Sequence, residues 1–293
     1  MPHTPRRRET SVGAALSHAA ARLREAGVHS PEVDAALLLE AVTGWQRTEQ
    51  LVRRDQVLTP EQSDRFRDLL ARRVGREPLQ HVLGEATFLD LRLEVGPGVL
   101  VPRPETERLV ELVLAELNAV EARVGDVVLD VGTGTGAIAL ALKSARPGLE
   151  VWATDVSPAA LSLARVNAER LGLSIELRRS DLLGDPGVAA AAATAVAIVS
   201  NPPYLPDADR RSVEPEVSAE PEDALYAGAD GLLVARRLVR QTLDVARPGA
   251  LVALELDPRN VGIMAGEMEG AGFSVVRVEL DLAGRERFVL ARR

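Results

Sequence analysis

The sequence predicts an α/β protein: a Rossmann-like, doubly wound and mostly parallel sheet preceded by a small helical domain. Three observations lead there. Residues 11 to 77 carry apolar positions at helical spacing. From Asp126 onward, short apolar runs alternate with helical stretches, the pattern of a sheet built from strand–helix–strand units. One of those runs, Val127 to Val131, feeds directly into a glycine loop. At 293 residues the chain exceeds one average domain, so a two-part organisation fits its length.

The elements follow in order. Val12, Ala15, Leu16, Ala19, Leu23 and Ala26 recur at three- and four-residue steps, with Gly27 as a stop signal. Ser30-Pro31 and Thr59-Pro60 each put a hydroxyl at an N-cap and a proline at the first helical position, where its missing N–H costs nothing. Gln62, three residues after Thr59, completes a capping box. From Phe88 the pattern becomes apolar alternation (Phe88, Leu89, Leu91, Leu93, Val95) broken by Gly96-Pro97-Gly98, which reads as a strand pair or hairpin linker. Strands are expected at Val127 to Val131, Val151 to Thr154, Ile175 to Leu177, Val196 to Ser200 and Leu251 to Leu256, with a helix from Leu109 to Leu117. Phe273 to Leu280 and Arg287 to Ala291 lie too close for a helical crossover and pair antiparallel. The alanine run 189 to 195 reads as a spacer leading into a strand.

Composition narrows the class. With 46% hydrophobic and 27% charged residues the chain is an ordinary globular one. No apolar run approaches the roughly 18 residues of a membrane span, so no membrane association is expected. Arg6-Arg7-Arg8 and the alanines after it imitate a signal peptide, but His18, Arg22, Arg24 and Glu25 interrupt the apolar stretch, and a cytoplasmic protein is expected. The absence of cysteine excludes disulfides, thiolate metal sites and cysteine nucleophiles; no metal site is expected. A net charge of −8 supplies no global field for nucleic acid. Residues 1 to 80 carry 13 Arg against 11 Asp or Glu, a balance of +2 that leaves −10 for the rest, too modest to mark a binding face.

The cofactor reading starts at Asp130-Val131-Gly132-Thr133-Gly134-Thr135-Gly136-Ala137, where a buried strand meets a glycine loop and an apolar helix. Glycines let a ligand touch backbone, and the string also fits the dinucleotide fingerprint G-x-G-x-x-A. Asp155, 25 positions past Asp130, closes the next strand where a carboxylate accepts from both hydroxyls of a ribose. Asp181-Leu182 falls at the following strand end, with a carboxylate and an apolar wall for adenine. A bare strand-to-helix turn needs neither three glycines nor a spaced acid.

The chemistry is carried by Asn201-Pro202-Pro203-Tyr204, directly after Val196 to Ser200. A planar nitrogen is a poor nucleophile because its lone pair is delocalised. The Asn201 side-chain oxygen and the Pro202 carbonyl each accept one N–H of an –NH2 group, orienting it and raising electron density on nitrogen. Prolines fix φ and aim the carbonyls, and Tyr204 stacks on a flat amide or base. The proton leaves once the nitrogen has become cationic, so no base is needed beforehand. Alone, Asn-Pro-Pro is a loop entry; after the glycine loop and the strand-end acids it reads as S-adenosylmethionine-dependent methyl transfer to a planar nitrogen.

These residues resemble the release factor glutamine methyltransferases, which modify the glutamine of the Gly-Gly-Gln motif in peptide chain release factors. The resemblance runs through Pro78 to Gly84, Pro102-Arg103-Pro104-Glu105-Thr106-Glu107, Asp130 to Gly136, Asn201 to Tyr204, Glu220-Pro221 with Ala224-Leu225 and Gly231, and Asp281 to Arg285. Pro-Arg-Pro-Glu-Thr-Glu is its specific part. It implies a helical, substrate-docking domain over residues 1–83, a β-hairpin linker over 84–101 and a seven-stranded class I methyltransferase domain over 102–293. It further implies that Gly132, Thr133, Gly134, Thr135, Gly136, Asp155, Asp181, Leu182 and Asn201 line the S-adenosylmethionine site and that Asn201, Pro202, Pro203 and Tyr204 hold the glutamine amide. Asp257-Pro258 departs from the glycine and later glutamine common there, and Leu182 replaces an aromatic found in some members. Arg103, Glu105 and Glu107 read either as an acidic first helical turn with a surface partner or, with the resemblance, as residues closing the site.

Three other functions compete. A methyltransferase for the exocyclic amine of adenine or guanine needs the same amide-holding groups. Against it, residues 205 to 230 carry eight acids and two Arg beside the site, a −6 stretch that repels phosphate, so stable nucleic-acid binding is not expected. A nicotinamide-dependent oxidoreductase lacks its acid, since His3, His18, His29 and His81 all precede the nucleotide-binding half. A non-catalytic scaffold leaves the intact Asn201 to Tyr204 unexplained.

Overall fold

A computed structural model describes residues 10–293; the Arg6-Arg7-Arg8 start lies outside them. The chain forms two compact units. One takes the described residues as far as Gly84 together with Pro215–Ala219, the other Glu85–Glu214 with Glu220–Arg293.

The first unit is helical: α1 (Val12–Glu25), α2 (Pro31–Thr43), α3 (Arg47–Val52), α4 (Pro60–Val74) and α5 (Leu79–Leu83). Their apolar stripes converge on Val12, Leu23, Leu38, Leu39 and Phe66. The Thr59 hydroxyl accepts from Gln62 N–H at 3.2 Å and the Gln62 side chain accepts from Thr59 N–H at 3.0 Å, the reciprocal cap expected from the sequence. Ser30 occupies the N-cap of α2, but with φ −122° and ψ 60° its hydroxyl makes no capping bond, so Pro31 alone marks that start. The short α3 and α5 carry too few turns to show a periodicity. Pro215–Ala219 joins this unit through charge: buried Arg73 donates to Asp34 and to Glu216, both at 2.7 Å, and Arg76 donates to both Glu216 oxygens. Burial pushes the Glu216 carboxyl up, but Arg76 and Arg73 outweigh it and hold the group at about 2.

The second unit opens on a hairpin, β1 (Glu85–Phe88) and β2 (Leu91–Glu94), paired antiparallel. The turn falls at Leu89-Asp90, ahead of the Gly96-Pro97-Gly98 break; Leu89 takes φ +49° and its N–H donates to the Glu107 carboxylate at 2.9 Å. A side chain 18 residues away supplies what the local sequence does not advertise. α6 (Pro104–Ala119) follows. The sheet consists of β3 (Val127–Val131), β4 (Glu150–Asp155), β5 (Glu176–Arg179), β6 (Ala197–Ser200), β7 (Leu251–Glu255), β8 (Ser274–Leu280) and β9 (Glu286–Arg292) in the order β5-β4-β3-β6-β7-β9-β8. The first five are parallel; β9 runs antiparallel to β7 and β8. Among the described residues this is the seven-stranded, mostly parallel sheet that the sequence predicts.

Strand alternation sorts the core. Leu251 and Ala253 face α6 and its Leu109, Val113 and Leu117, whereas Val252 and Leu254 face the helices on the other side. The alanine run is corrected: Pro186–Ala192 forms a helix, α9, whose start is capped by the Asp185 carboxylate accepting from Gly187 and Val188 N–H. Alanine is the strongest helix former, and Asp-Pro is the start signal that outweighs the spacer reading. The order places the carboxyl ends of β3, β4, β5 and β6 along one edge, with the strand order reversing between β4-β3 and β6.

Candidate active site

At that edge the glycine loop leaves β3. Gly132, Gly134 and Gly136 all have positive φ, and a Cβ on Gly132 would meet nothing within 4 Å, which leaves its backbone open to a ligand. The loop is braced from below. Thr133 donates to the fully buried Asp130 at 2.5 Å, and Ala139 N–H donates to the same oxygen at 3.2 Å. Burial pushes the Asp130 carboxyl up to about 7 against those two donors. Asn167 of α8 (Pro158–Leu171) donates to Thr135 O and Glu94 O and accepts from Glu94 N–H, tying the loop to β2. Asp155 accepts from Gly134 N–H and Ser157 N–H, each at 2.9 Å, one at each oxygen. The carboxylate keeps acceptor capacity for a further donor. Burial raises the Asp155 pKa, with the Ser157, Gly134 and Val156 N–H groups opposing.

A cavity of about 520 Å³ opens over these residues. Gly132, Thr133, Gly134, Thr135, Asp155, Asp181, Leu182, Asn201 and Pro203 line it, beside Val99, Arg103, Thr106 and Ile138. Gly136, Pro202 and Tyr204 are not among its lining residues. A Cβ on Gly136 would lie 3.0 Å from Leu140 Cδ1 and 3.2 Å from Ala164 Cβ, so this glycine serves the packing of α7 (Ala137–Ala145) on α8. The Asp181 carboxylate pairs with Arg237 at 2.7 Å on the rim, and Leu182 reaches the wall with φ +56°. The departure at Asp257 has a local account: its carboxylate pairs with Arg259, which also holds Asp209.

Asn201 ends β6. Its Nδ2 donates to Thr106 Oγ1 at 3.1 Å, while its Oδ1 is buried without a hydrogen-bond partner. A buried acceptor left unmade is costly, and here it belongs to a residue on the cavity wall. Tyr204 is held by its backbone: Asn260 Nδ2 donates to its carbonyl at 3.2 Å, and Gly231 passes directly against it. Burial and the nearby Glu255 carboxylate raise the Tyr204 pKa and keep the phenol protonated.

The Pro-Arg-Pro-Glu-Thr-Glu segment becomes legible here. Arg103 pairs with the buried Glu220, which also accepts from Val101 N–H at 2.9 Å. Glu105 pairs with Arg285 at 3.2 Å, and Glu107 caps the hairpin turn. Thr106, which contacts Asn201, and Glu255, the acid that ends β7, escaped sequence reading. An acid closing an apolar strand was the available signal for Glu255, and Thr106 stood inside the Pro-Arg-Pro-Glu-Thr-Glu segment without a role of its own. No described helix is long and apolar enough to cross a membrane.

Two family models match the chain, the PrmC N-terminal domain over residues 14–84 and the methyltransferase small domain over residues 110–243. Among curated relatives, the release factor glutamine methyltransferase of Deinococcus radiodurans is 51% identical over 278 residues, covering 95% of this chain and 97% of its own length. That of Rhodospirillum rubrum is 41% identical, covering 96% and 85%. Of solved structures, the hMettl16 catalytic domain in complex with MAT2A 3'UTR hairpin 6 matches with a TM-score of 0.56 at 19% identity, covering 77% of this chain and 81% of that one. A T. thermophilus 16S rRNA methyltransferase in complex with AdoMet and guanosine matches with a TM-score of 0.53 at 22% identity, covering 71% and 49%. At such identities these two likenesses are of fold.

Proposed function

The chain belongs to the release factor glutamine methyltransferase family, and from that membership we propose that its Asn201, Pro202, Pro203 and Tyr204 hold the glutamine amide of a release factor's Gly-Gly-Gln motif for methylation. The enzyme is an S-adenosylmethionine-dependent N-methyltransferase, and the modified atom is the side-chain amide nitrogen of that glutamine. Bound S-adenosylmethionine supplies an electrophilic methyl group.

The residues present fit that cofactor. Gly132 to Thr135 line the cavity, and open space lies over Gly132 where a ligand would approach backbone. Asp155 keeps acceptor capacity that a ribose diol would use, and Leu182 with Asp181 would flank the place for adenine. The observation that carries the substrate reading is the orphaned Asn201 Oδ1. An incoming amide N–H satisfies it, and the Pro202 carbonyl takes the second N–H. With both hydrogens held, the two acceptors would leave the nitrogen lone pair free to react and would stabilise the positive charge that develops on nitrogen. Tyr204, kept neutral, flanks the flat amide without adding charge. The helical domain is the docking module for the release factor, and that substrate implies a cytoplasmic enzyme.

The test is transfer of a labelled methyl group from S-adenosylmethionine to a purified release factor, to its Gly-Gly-Gln glutamine mutant, and to total RNA and DNA. Label on the intact release factor alone is expected. Label on nucleic acid instead would replace the substrate while keeping the amide-holding geometry.

A further inference from the structure

Glu255 ends β7, one residue beyond the Ser200–Leu254 pair of the parallel β6–β7 ladder, and therefore lies alongside Asn201. The alternation that turns Leu251 and Ala253 toward α6 turns Glu255 the same way, to the first turn of that helix. It is 0% exposed, and neither carboxylate oxygen meets a donor at full hydrogen-bond geometry. A buried, unsatisfied carboxylate beside a reaction centre is a group retained for use. The Thr106 hydroxyl opposes the upward push of burial on its pKa, as do Arg287 and Arg103, with Glu105 acting the other way. Thr106 also receives Asn201 Nδ2, so it stands between the two.

A hydroxyl has one proton and two acceptor lone pairs. With that proton directed at Glu255, Thr106 can only accept from its other neighbour. Asn201 must then turn its –NH2 toward Thr106, which leaves its oxygen as the free acceptor. In the reverse flip the Asn201 –NH2 would face the substrate –NH2, donor against donor. We propose that Thr106 and Glu255 are positioning residues that lock the Asn201 side-chain amide in the orientation that accepts a substrate N–H. The first link, Asn201 Nδ2–H to Thr106 Oγ1, stands at 3.1 Å; the second, from the Thr106 hydroxyl to the Glu255 carboxylate, is the link the proposal adds, and neither moves a proton between residues. It deepens the reading of Asn201 as the amide acceptor and rests on it.

The experiment compares wild type with Thr106→Val, Thr106→Ser, Glu255→Leu, Asn201→Ala and the Thr106→Val/Asn201→Ala double variant. Turnover is measured on a purified release factor, and S-adenosylmethionine affinity serves as the check on folding. Thr106→Val keeps volume and removes the hydroxyl; it should lower kcat by about 10-fold or more, with KM for the release factor within about 2-fold. Thr106→Ser should recover most of that loss, and Glu255→Leu should resemble Thr106→Val. In the Asn201→Ala background Thr106→Val should add nothing, because the group it positions is gone. Wild-type turnover in Thr106→Val, no recovery in Thr106→Ser, or losses that multiply in the double variant would each overturn the relay alone. Wild-type turnover in Asn201→Ala would overturn the amide-holding reading and the relay with it. Should Glu255→Leu fail to bind cofactor, the Thr106 series still decides.

Discussion

The Tyr204 backbone runs so close to Gly231 that a Cβ built on Gly231 would stand 2.8 Å from the Tyr204 carbonyl carbon and closer still to its oxygen. Gly231 also takes φ +76°, so the position excludes side chains on two independent grounds. Asn260 Nδ2 holds the same carbonyl at 3.2 Å. The loop that presents Asn201 to Tyr204 is thus clamped through its main chain.

Gly231→Ala is accordingly expected to act on catalysis more than on folding. Relief of the clash must push the Tyr204 main chain out of its position, at a cost of about 1–3 kcal/mol. Turnover should fall by an order of magnitude or more, about as far as a ~1 Å misplacement of a catalytic loop takes it. Paired kcat and thermal-melting measurements decide; an unchanged kcat would mean that the Tyr204 main chain is not held in its working position.

Asn201→Ala removes one of the two orienting acceptors and leaves the glycine loop and Asp155 intact. Cofactor affinity should stay within a few-fold of wild type, while kcat drops by about 10²–10³. Calorimetric titration with S-adenosylmethionine alongside single-turnover methylation separates the two effects, and full activity would remove Asn201 from the mechanism.

Asp155→Ala should do the opposite. Loss of charge-assisted bonds to a ribose diol, each worth about 1.5–3 kcal/mol, predicts cofactor binding weaker by 10-fold or more. Part of the loss will come from Gly134 N–H and Ser157 N–H, which the carboxylate now holds. An unchanged dissociation constant would place the ribose elsewhere.

Glu255→Gln tests the buried acid through pH. Burial lifts the Glu255 carboxyl from its ordinary 4.5 to about 7. A folded-state pKa above the unfolded one contributes stability that is full below about 4.5 and lost as pH rises through about 7. Wild type should therefore lose melting temperature between pH 5 and 8, and Glu255→Gln should lose less. Asp130, also lifted to about 7 by burial, remains to titrate in the variant, so the slope should shrink without vanishing. Identical slopes would show that Glu255 does not titrate in this window.

Much of this protein is written locally. Helical spacing in Val12 to Ala26, the Thr59–Gln62 cap and the strand runs from Val127 to Ala291 each fixed an element, because backbone conformation answers to neighbours within one or two turns. Gly132 to Thr135, Asp155, Asp181, Leu182 and Asn201 could be chosen in advance as cavity residues, unlike Gly136, since carboxyl ends of parallel strands gather on one edge whatever the details of packing. The alanine run was misread where two local signals competed, a low-complexity stretch and an Asp-Pro start.

What the sequence by itself determined, then, is which segments become strands and helices and which strand ends carry chemistry. Only the tertiary structure decided that Thr106 meets Asn201 across 95 residues, that Arg103 pairs with Glu220 across 117, and that Gly231 must yield its side chain to Tyr204. Such pairs have no period and no short spacing to betray them. They exist because β6 and β7 lie side by side in the sheet and α6 packs across their ends, and those placements follow from burying apolar faces over the whole unit.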